Sequence, residues 1–365
     1  MDKKTAYIAL NLAPKLGPIK TRQLLHYLGS IENIFQASAT TLQQVPGIGP
    51  KIAQGLHSSY LIQRAEKEIE NCNQRGIQII TQDDETYPEP LTHYDDAPML
   101  LYVWGELTPA DNHAIAVVGT RAATPYGKQI TKEFSYQLAS CGNTIISGLA
   151  RGIDTHAHEA AIAANGRTIA VLGSGLAQLY PPENLPLAHK IASGYGAVVS
   201  EFPLNSPPDR QSFPMRNRIV ASWCHSLLVT ESPEKSGSLI TANMAGEKGK
   251  QVFAVPGPIN RPHSSGCHEL IRQGATLVTS VQQMIDEENW FPSQDTHSAQ
   301  NSGNQNHGVT TPQAAILELL TTPMNADDIA SLLKQPIDET LCILTELELD
   351  ERIQQDQGGI YSLNT

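Results

Sequence analysis

Long apolar runs are missing from this 365-residue chain, and so is a basic-then-apolar leader. Neither a membrane span nor a secretory signal is expected, and the reading is a cytoplasmic protein. Cysteine is scarce. Cys72, Cys141, Cys224, Cys267 and Cys342 are scattered, odd in number and without a C-x-x-C spacing. That argues against a disulfide framework or a zinc ribbon and fits reduced thiols. The dinucleotide fingerprint G-x-G-x-x-G is also lacking: GSGLAQ (Gly173–Gln178) has no third glycine, so NAD(P) binding gains nothing from it. No Ser-His-Asp set or activated cysteine can be assembled. Asp154, His156 and His158 are metal-ligand types, but positions two apart on a helix point to different sides. Asp154 reads instead as the N-cap of a helix Thr155–Ala164. Cys267-His268, with His263 nearby, lacks a second cluster to complete a tetrahedral site. No metal and no cofactor are expected.

Positive charge is in deficit too, with 25 Lys+Arg against 37 Asp+Glu and a formal net charge of -12. The deficit is uneven. Residues 1–64 carry 7 basic and 2 acidic groups, 65–113 carry 2 and 11, 114–285 carry 14 and 10, and 286–365 carry 2 and 14. Nucleic acid is bound largely through phosphate neutralisation, so local charge counts for more than the total. The first and third segments can meet a polyanion; the last repels one.

Against these absences, the order of what is present is informative. Leu16–Gly29 and Val45–Leu56 form a weak internal repeat of Gly, Pro, Lys and a helix-like run. The Gly47–Gly49 turn, with Lys51 nearby, resembles a helix-hairpin-helix start, which serves either DNA-backbone contact or packing. From Ala114 the pattern changes to short apolar runs ended by small or polar residues: Ala114–Gly119, Asn143–Gly148, Thr168–Gly173, Ala197–Ser200, Ser226–Thr230, Gln251–Gly257 and Ala275–Val278. Helical patterns lie between them. Strands that are apolar throughout and alternate with helices predict a doubly wound, mostly parallel α/β sheet. The expected organisation is a helical domain over 1–64, an acidic connecting segment over 65–113, an α/β domain over 114–290, a polar linker over 291–311 and a winged-helix-like domain over 312–365. With only Lys334 and Arg352 as cations, that last domain reads as a protein-contact module.

Ligands of such sheets sit beyond the carboxyl ends of the strands. Gly119-Thr120-Arg121 follows the first buried strand, offering either a plain turn or an anion site with a guanidinium. A later post-strand loop holds Arg210, Phe213, Arg216, Asn217 and Arg218, and Lys235 precedes a Ser236-Gly237-Ser238 turn that opens a helix. Arginine forks grip phosphate and an aromatic face stacks on an unpaired base, so the set favours single-stranded nucleic acid over duplex. A competing reading pairs Arg216 or Arg218 with Glu201 or Glu231 at the strand ends.

Taken together, VVGTR (Val117–Arg121), SGLARGIDTHAHEAA (Ser147–Ala161), TIAVLGSGL (Thr168–Leu176) with YPPEN, SEFP (Ser200–Pro203), FPMRNRIVA (Phe213–Ala221), KSGSLITA (Lys235–Ala242), FAVPG (Phe253–Gly257) and GCHELIRQGA (Gly266–Ala275) resemble the DNA-processing protein A (DprA/Smf) family. The resemblance implies an extended Rossmann-like domain that binds single-stranded DNA, dimerises and helps load the RecA recombinase during natural transformation. It maps the pocket onto Gly119, Arg121, Arg210, Phe213, Arg216, Asn217, Arg218, Lys235 and Ser236 to Ser238. One departure stands out: Tyr180-Pro181 is followed by Pro182 and Glu183, where many members place a base. Two rival readings are a pure adaptor and an enzyme. The enzymatic one likens the sheet to nucleoside 5′-monophosphate phosphoribohydrolases, but Met244 stands where their working glutamate would be and a thioether is no acid or base; Glu247 one turn on is the residual candidate.

Overall fold

The structure is a computed structural model that describes residues 1–287, 316–317, 319–320, 323–333, 337–349, 352–355 and 360–363. The chain forms two compact units, 1–293 and 294–365.

The first unit begins with six helices: α1 (Lys3–Leu12), α2 (Pro18–Leu28), α3 (Ile31–Gln36), α4 (Ala39–Leu42), α5 (Pro50–Leu56) and α6 (Ser59–Asn73). Both halves of the internal repeat start a helix in the same way, with Gly17 or Gly49 as N-cap and proline at the first helical position, where its missing N–H is no loss. Next come β1 (Gln78–Thr81), α7 (Glu89–Thr92) and β2 (Leu100–Gly105). Then the chain alternates: β3 (Ala114–Val118), α8 (Pro125–Ser140), β4 (Thr144–Ser147), α9 (Ile153–Ala163), β5 (Thr168–Leu172), α10 (Leu185–Lys190), β6 (Gly196–Ser200), α11 (Ser212–Trp223), β7 (Ser226–Val229), α12 (Gly237–Glu247), β8 (Gln251–Ala254), α13 (Ser265–Arg272), β9 (Thr276–Leu277) and α14 (Val281–Glu287).

All nine strands join one sheet in the order β1-β2-β6-β5-β4-β3-β7-β8-β9. From β6 to β9 every pairing is parallel, whereas β1 and β2 run antiparallel. The chain winds outward from β3 to β6, then returns to place β7 on the other side of β3. That reversal opens a crevice above the ends of β3 and β7, where such sheets bind ligands. Alternate residues serve the two faces. Ile115 and Val117 pack with Phe134, Leu138 and Ala157 of α8 and α9, while Ala116 and Val118 pack with Val220, Trp223 and Ala242 of α11 and α12.

Two expectations about the first 113 residues need correction. A boundary at 64 falls inside α6, whose buried Leu61, Ala65, Glu68 and Cys72 form one continuous stripe at helical spacing. The change of charge there marks the solvent face of a helix, not a joint. The segment 65–113 is likewise no mere connection, for it supplies β1 and β2. The helical region shares a single core with the sheet, in which Ile8, Leu24 and Leu56 lie with Tyr102, Leu172 and Val198. Each such buried side chain contributes about 1.5–3 kcal/mol relative to exposure. Two polar contacts fix the docking: Leu204 N donates to Glu68 Oε1 at 2.6 Å, and Asn11 Nδ2 donates to the Glu201 carbonyl at 3.1 Å.

The second unit contains β10 (Met324–Asn325), α15 (Ala326–Leu333), α16 (Ile337–Leu349), β11 (Ile353–Gln355) and β12 (Ile360–Leu363). The strands form an antiparallel sheet, β10-β12-β11, over a core of Ile329, Leu344, Leu347, Ile353 and Tyr361. This is a winged helix. The linker expected over 291–311 lies outside the described residues, as does most of the helical pattern over 311–320. Among the described residues no helix is long and apolar enough to cross a membrane.

Candidate nucleic-acid interface

A cavity of about 520 Å³ opens at the crevice between β3 and β7. Its floor is glycine by necessity. A Cβ on Gly119 would stand 2.5 Å from Ile153 Cγ1 and 2.7 Å from the Glu231 carbonyl, so only glycine lets the two strand ends close, with Thr120 N donating to that carbonyl at 2.8 Å. A Cβ on Gly148 would land 1.8 Å from Arg216 Nη1.

Three cations reach the cavity from three separate segments: Arg121 after β3, Arg210 before α11 and Lys235 before α12. All three are exposed. Phe213 and Asn217, four apart and therefore on one face of α11, complete the wall with the N-terminus of α12. There Ser236 Oγ accepts from Ser238 N at 3.3 Å, the Ser236 and Ser238 hydroxyls meet at 2.7 Å, and Ser232 lies 2.9 Å beyond. Gly237 remains open, with nothing within 4 Å of where its Cβ would be. The Arg121 guanidinium lies over the Phe213 ring, 5.1 Å from its centre. Cations, an aromatic ring and a helix N-terminus thus converge on one concave surface suited to phosphate and base.

Arg216 lines the same cavity from below and is only 5% exposed. Its Nη1 donates to the Val171 carbonyl, and its Nε donates to Asn217 Oδ1 at 3.0 Å. Burial lowers its pKa to about 10, partly offset by the Asp154 carboxylate beside it. It therefore keeps its charge at neutral pH. Burial likewise pushes Asp154 up from the ordinary carboxylate value, and Arg216 opposes that shift. Asp154 does not cap the helix as the sequence suggested. Gly152, at φ 78°, starts α9 earlier, so Asp154 sits inside the helix and its Oδ2 accepts from Gly148 N at 3.0 Å and Ala150 N at 3.3 Å. It is the one carboxylate among the described residues lining the cavity, and those partners occupy it.

Arg218 does not belong to this constellation. Residues 212–223 form a helix, not the loop expected from sequence, and a helix turns about 100° per residue. Arg218 is thereby carried to the other side of α11, where its Nη2 meets Glu201 Oε1 at 2.5 Å, with side-chain exposures of 12% and 7%. The core-pairing alternative is the one realised for this residue. Glu231, the other carboxylate weighed for that role, is taken by Thr124, which donates to it from N at 2.8 Å and from Oγ1 at 2.6 Å.

His156 meets Glu159 at 2.9 Å, while buried His158 has Nδ1 at 2.6 Å from Thr168 Oγ1. His268 Nε2 lies 2.9 Å from the Gly257 carbonyl and Cys267 is buried. Glu247 lies at the far end of α12, in a separate recess with Lys250. The hydrolytic reading thus has neither a carboxylate at position 244 nor Glu247 at the cavity. Sequence reasoning missed Gly148 and Asp154 as cavity residues and Arg151 at its margin, and met Tyr180 there only through the residues that follow it. All four lie in post-strand segments, which was the available signal.

Comparisons with known proteins agree with this layout. The family described as DNA recombination-mediator protein A matches residues 78–289, a SAM-like helix-hairpin-helix tandem matches 9–59, and a DprA winged helix domain matches 302–359. Protein Smf of Escherichia coli K12 is 41% identical over 290 residues, covering 78% of this chain and 77% of that protein. DNA processing protein DprA of Streptococcus pneumoniae R6 is 43% identical over 204 residues, covering 56% of this chain and 72% of that one. The crystal structure of DprA from Streptococcus pneumoniae superposes with a TM-score of 0.69 at 34% identity, covering 79% of this chain and 99% of that one. A structure describing the single-stranded DNA binding mode of DprA from Helicobacter pylori superposes with a TM-score of 0.52 at 31% identity, over 58% of this chain and 96% of that one.

Proposed function

The chain belongs to the DNA recombination-mediator protein A family, and from that premise we propose that its cavity binds single-stranded DNA in a non-enzymatic, recombination-mediating role. The observation that carries the reading is the meeting of Arg121, Arg210 and Lys235 with Phe213, Asn217 and the α12 N-terminus on one surface. Phosphates neutralise the cations and lie at the positive end of α12, and an unpaired base stacks at the ring. Duplex DNA hides its bases and gains only the phosphate part. The strand bound is incoming single-stranded DNA, which the protein protects and passes to the RecA recombinase during natural transformation. It acts as a homodimer through the sheet domain.

Filter binding of labelled oligo(dT) across a salt series tests the cavity. Affinity falls steeply with salt in the wild type. Arg121→Ala and Lys235→Ala each weaken binding and reduce the slope of log K against log salt by about 0.7. Equal binding by wild type and both variants rejects the cavity. Light scattering checks the dimer, and RecA filament formation on protein-coated single strands checks the mediator role.

A further inference from the structure

Two recesses leave the central cavity in opposite directions. One, between α12 and α13, carries Glu234 and Glu269 beside Lys235, and carboxylates repel a polyanion. The other lies past Phe213, where Arg151, Tyr180 and Pro181 join residues of the cavity itself. In that direction four side chains form a row. The Arg121 guanidinium lies 5.1 Å from the Phe213 ring centre, the Phe213 and Tyr180 rings are 6.0 Å apart at 55°, and the Arg151 guanidinium lies 5.6 Å from the Tyr180 ring centre. The row is cation, ring, ring, cation.

The recess under this row holds only about 10 Å³, no more than one water molecule needs, and the two rings, tilted at 55° with centres 6.0 Å apart, leave no parallel slot. No base slips between the two rings, so a strand crossing here lies outside them with its backbone against the guanidinium groups. Arg151 is half exposed and already holds an anion. Its Nε donates to Glu183 Oε1, and its Nη1 donates to the Tyr180 hydroxyl at 3.3 Å. Two of five N–H donors are engaged, and a solvent-exposed pair of this kind is weak and exchangeable. A phosphate group, with two free oxygens, can take the guanidinium by a fork where the carboxylate holds it through one bond.

We propose that Arg151 is a second phosphate clamp, reached by a strand that leaves the cavity over the Phe213–Tyr180 ledge, and that Glu183 occupies it in the free protein until a phosphate takes its place. The carboxylate therefore sets how tightly longer strands bind. This rests on the reading of the central cavity as a single-strand site, and it adds a direction to that site: the strand runs towards Arg151 and away from Glu234 and Glu269.

The test uses the full chain and oligo(dT) of about 4 and about 16 nucleotides, within the range that single-strand sites span. Arg151→Gln weakens the longer oligonucleotide about tenfold and lowers its salt slope by about 0.7, while the shorter one, held within the cavity, binds as to wild type. Glu183→Gln tightens the longer oligonucleotide by up to about fivefold, and that gain disappears in the Arg151→Gln background. Both side chains are half exposed, and an unchanged thermal midpoint checks that the fold persists. If Arg151→Gln binds the longer strand as well as wild type while Arg121→Ala does not, the clamp is overturned and the cavity stands. If Glu183→Gln leaves binding unchanged or weakens it, the displaced-carboxylate half is overturned. If Arg121→Ala and Lys235→Ala have no effect on either length, the cavity reading fails and the clamp fails with it.

Discussion

Arg216 and Arg218 stand two residues apart on α11 and serve opposite sides of it, Arg216 beneath the cavity beside Asp154 and Arg218 in a buried pair with Glu201. One arginine is part of the site; the other holds the helix that carries the site. Glu201 is fixed from the far side as well, since its carbonyl accepts from Asn11 of α1. The chain of contacts runs from the N-terminal helical region through β6 to α11. Arg218→Met leaves a buried carboxylate without its cation and destabilises the protein by about 3–5 kcal/mol. Adding Glu201→Leu recovers most of that loss, because an apolar pair of similar volume replaces a buried ionic one at little cost. Urea unfolding of the two single variants and the double variant measures this. At temperatures where Arg218→Met is fully folded, its salt slope for oligo(dT) equals that of wild type, whereas the slope for Arg121→Ala does not.

Phe213 separates stacking from charge. Its ring packs near Gly173, where a Cβ would sit 3.0 Å from Phe213 Cδ1, and the Arg121 guanidinium lies 5.1 Å from the ring centre. Phe213→Leu keeps the apolar contact with Gly173 but removes the aromatic face. The expected loss of affinity for oligo(dT) is about 1–3 kcal/mol, with the salt slope unchanged because no cation is lost. A flattened slope would mean that Phe213 acts only by positioning Arg121.

Gly148 is the most demanding position of the floor. A methyl group there collides with Arg216 Nη1, whose bond to the Val171 carbonyl leaves it no free retreat. Gly148→Ala therefore displaces the guanidinium from beside Asp154. The expected outcome is a loss of about 1–3 kcal/mol in stability, together with weaker single-strand binding at a temperature where the variant is folded. Circular dichroism melts and the filter assay on the same samples measure both.

Much of the fold was legible because strands buried on both faces are nearly continuous apolar runs: Ala114–Val118 is wholly apolar, and Thr168–Leu172 and Ser226–Val229 are apolar after one small hydroxyl residue at the start. The strand β2 is such a run in LLYVWG, whereas β1 shows only Ile79 and Ile80 between Gln78 and Thr81, too short a signal to stand out within an acidic segment. At the site, Arg121, Arg210, Phe213, Asn217 and Lys235 could be found as post-strand residues. Arg218 departs from the expected set because residues 212–223 are a helix and not a loop. The spacing of Ile219, Val220 and Trp223 is a helical stripe, Pro214 is tolerated in a first turn, and a helix requires residues 216 and 218 to diverge. Arg151 and Tyr180 lie on separate segments, and only the fold brings them together.

His158 gives the protein an acid limit of calculable sign. It is fully buried in α9, with Nδ1 on Thr168 Oγ1 and no described partner for Nε2. Burial, with Arg216 nearby, lowers its pKa from 6.5 to about 3. The unfolded chain takes up a proton as pH falls through 6.5, while the folded chain takes none until about 3, so unfolding is favoured by protons in that window. The stability that neutral His158 provides is complete above pH 6.5 and is lost progressively below it, at about 1.4 kcal/mol per pH unit. Between pH 6.5 and pH 5 the wild type should lose about 2 kcal/mol from this residue alone. His158→Gln keeps a polar side chain near Thr168 but cannot titrate. Its absolute stability falls at every pH, yet its stability profile should be flatter than that of wild type by one proton across the window. Urea midpoints at half-unit pH steps read the difference in slope, and parallel profiles for the two proteins would show that His158 is protonated in the fold.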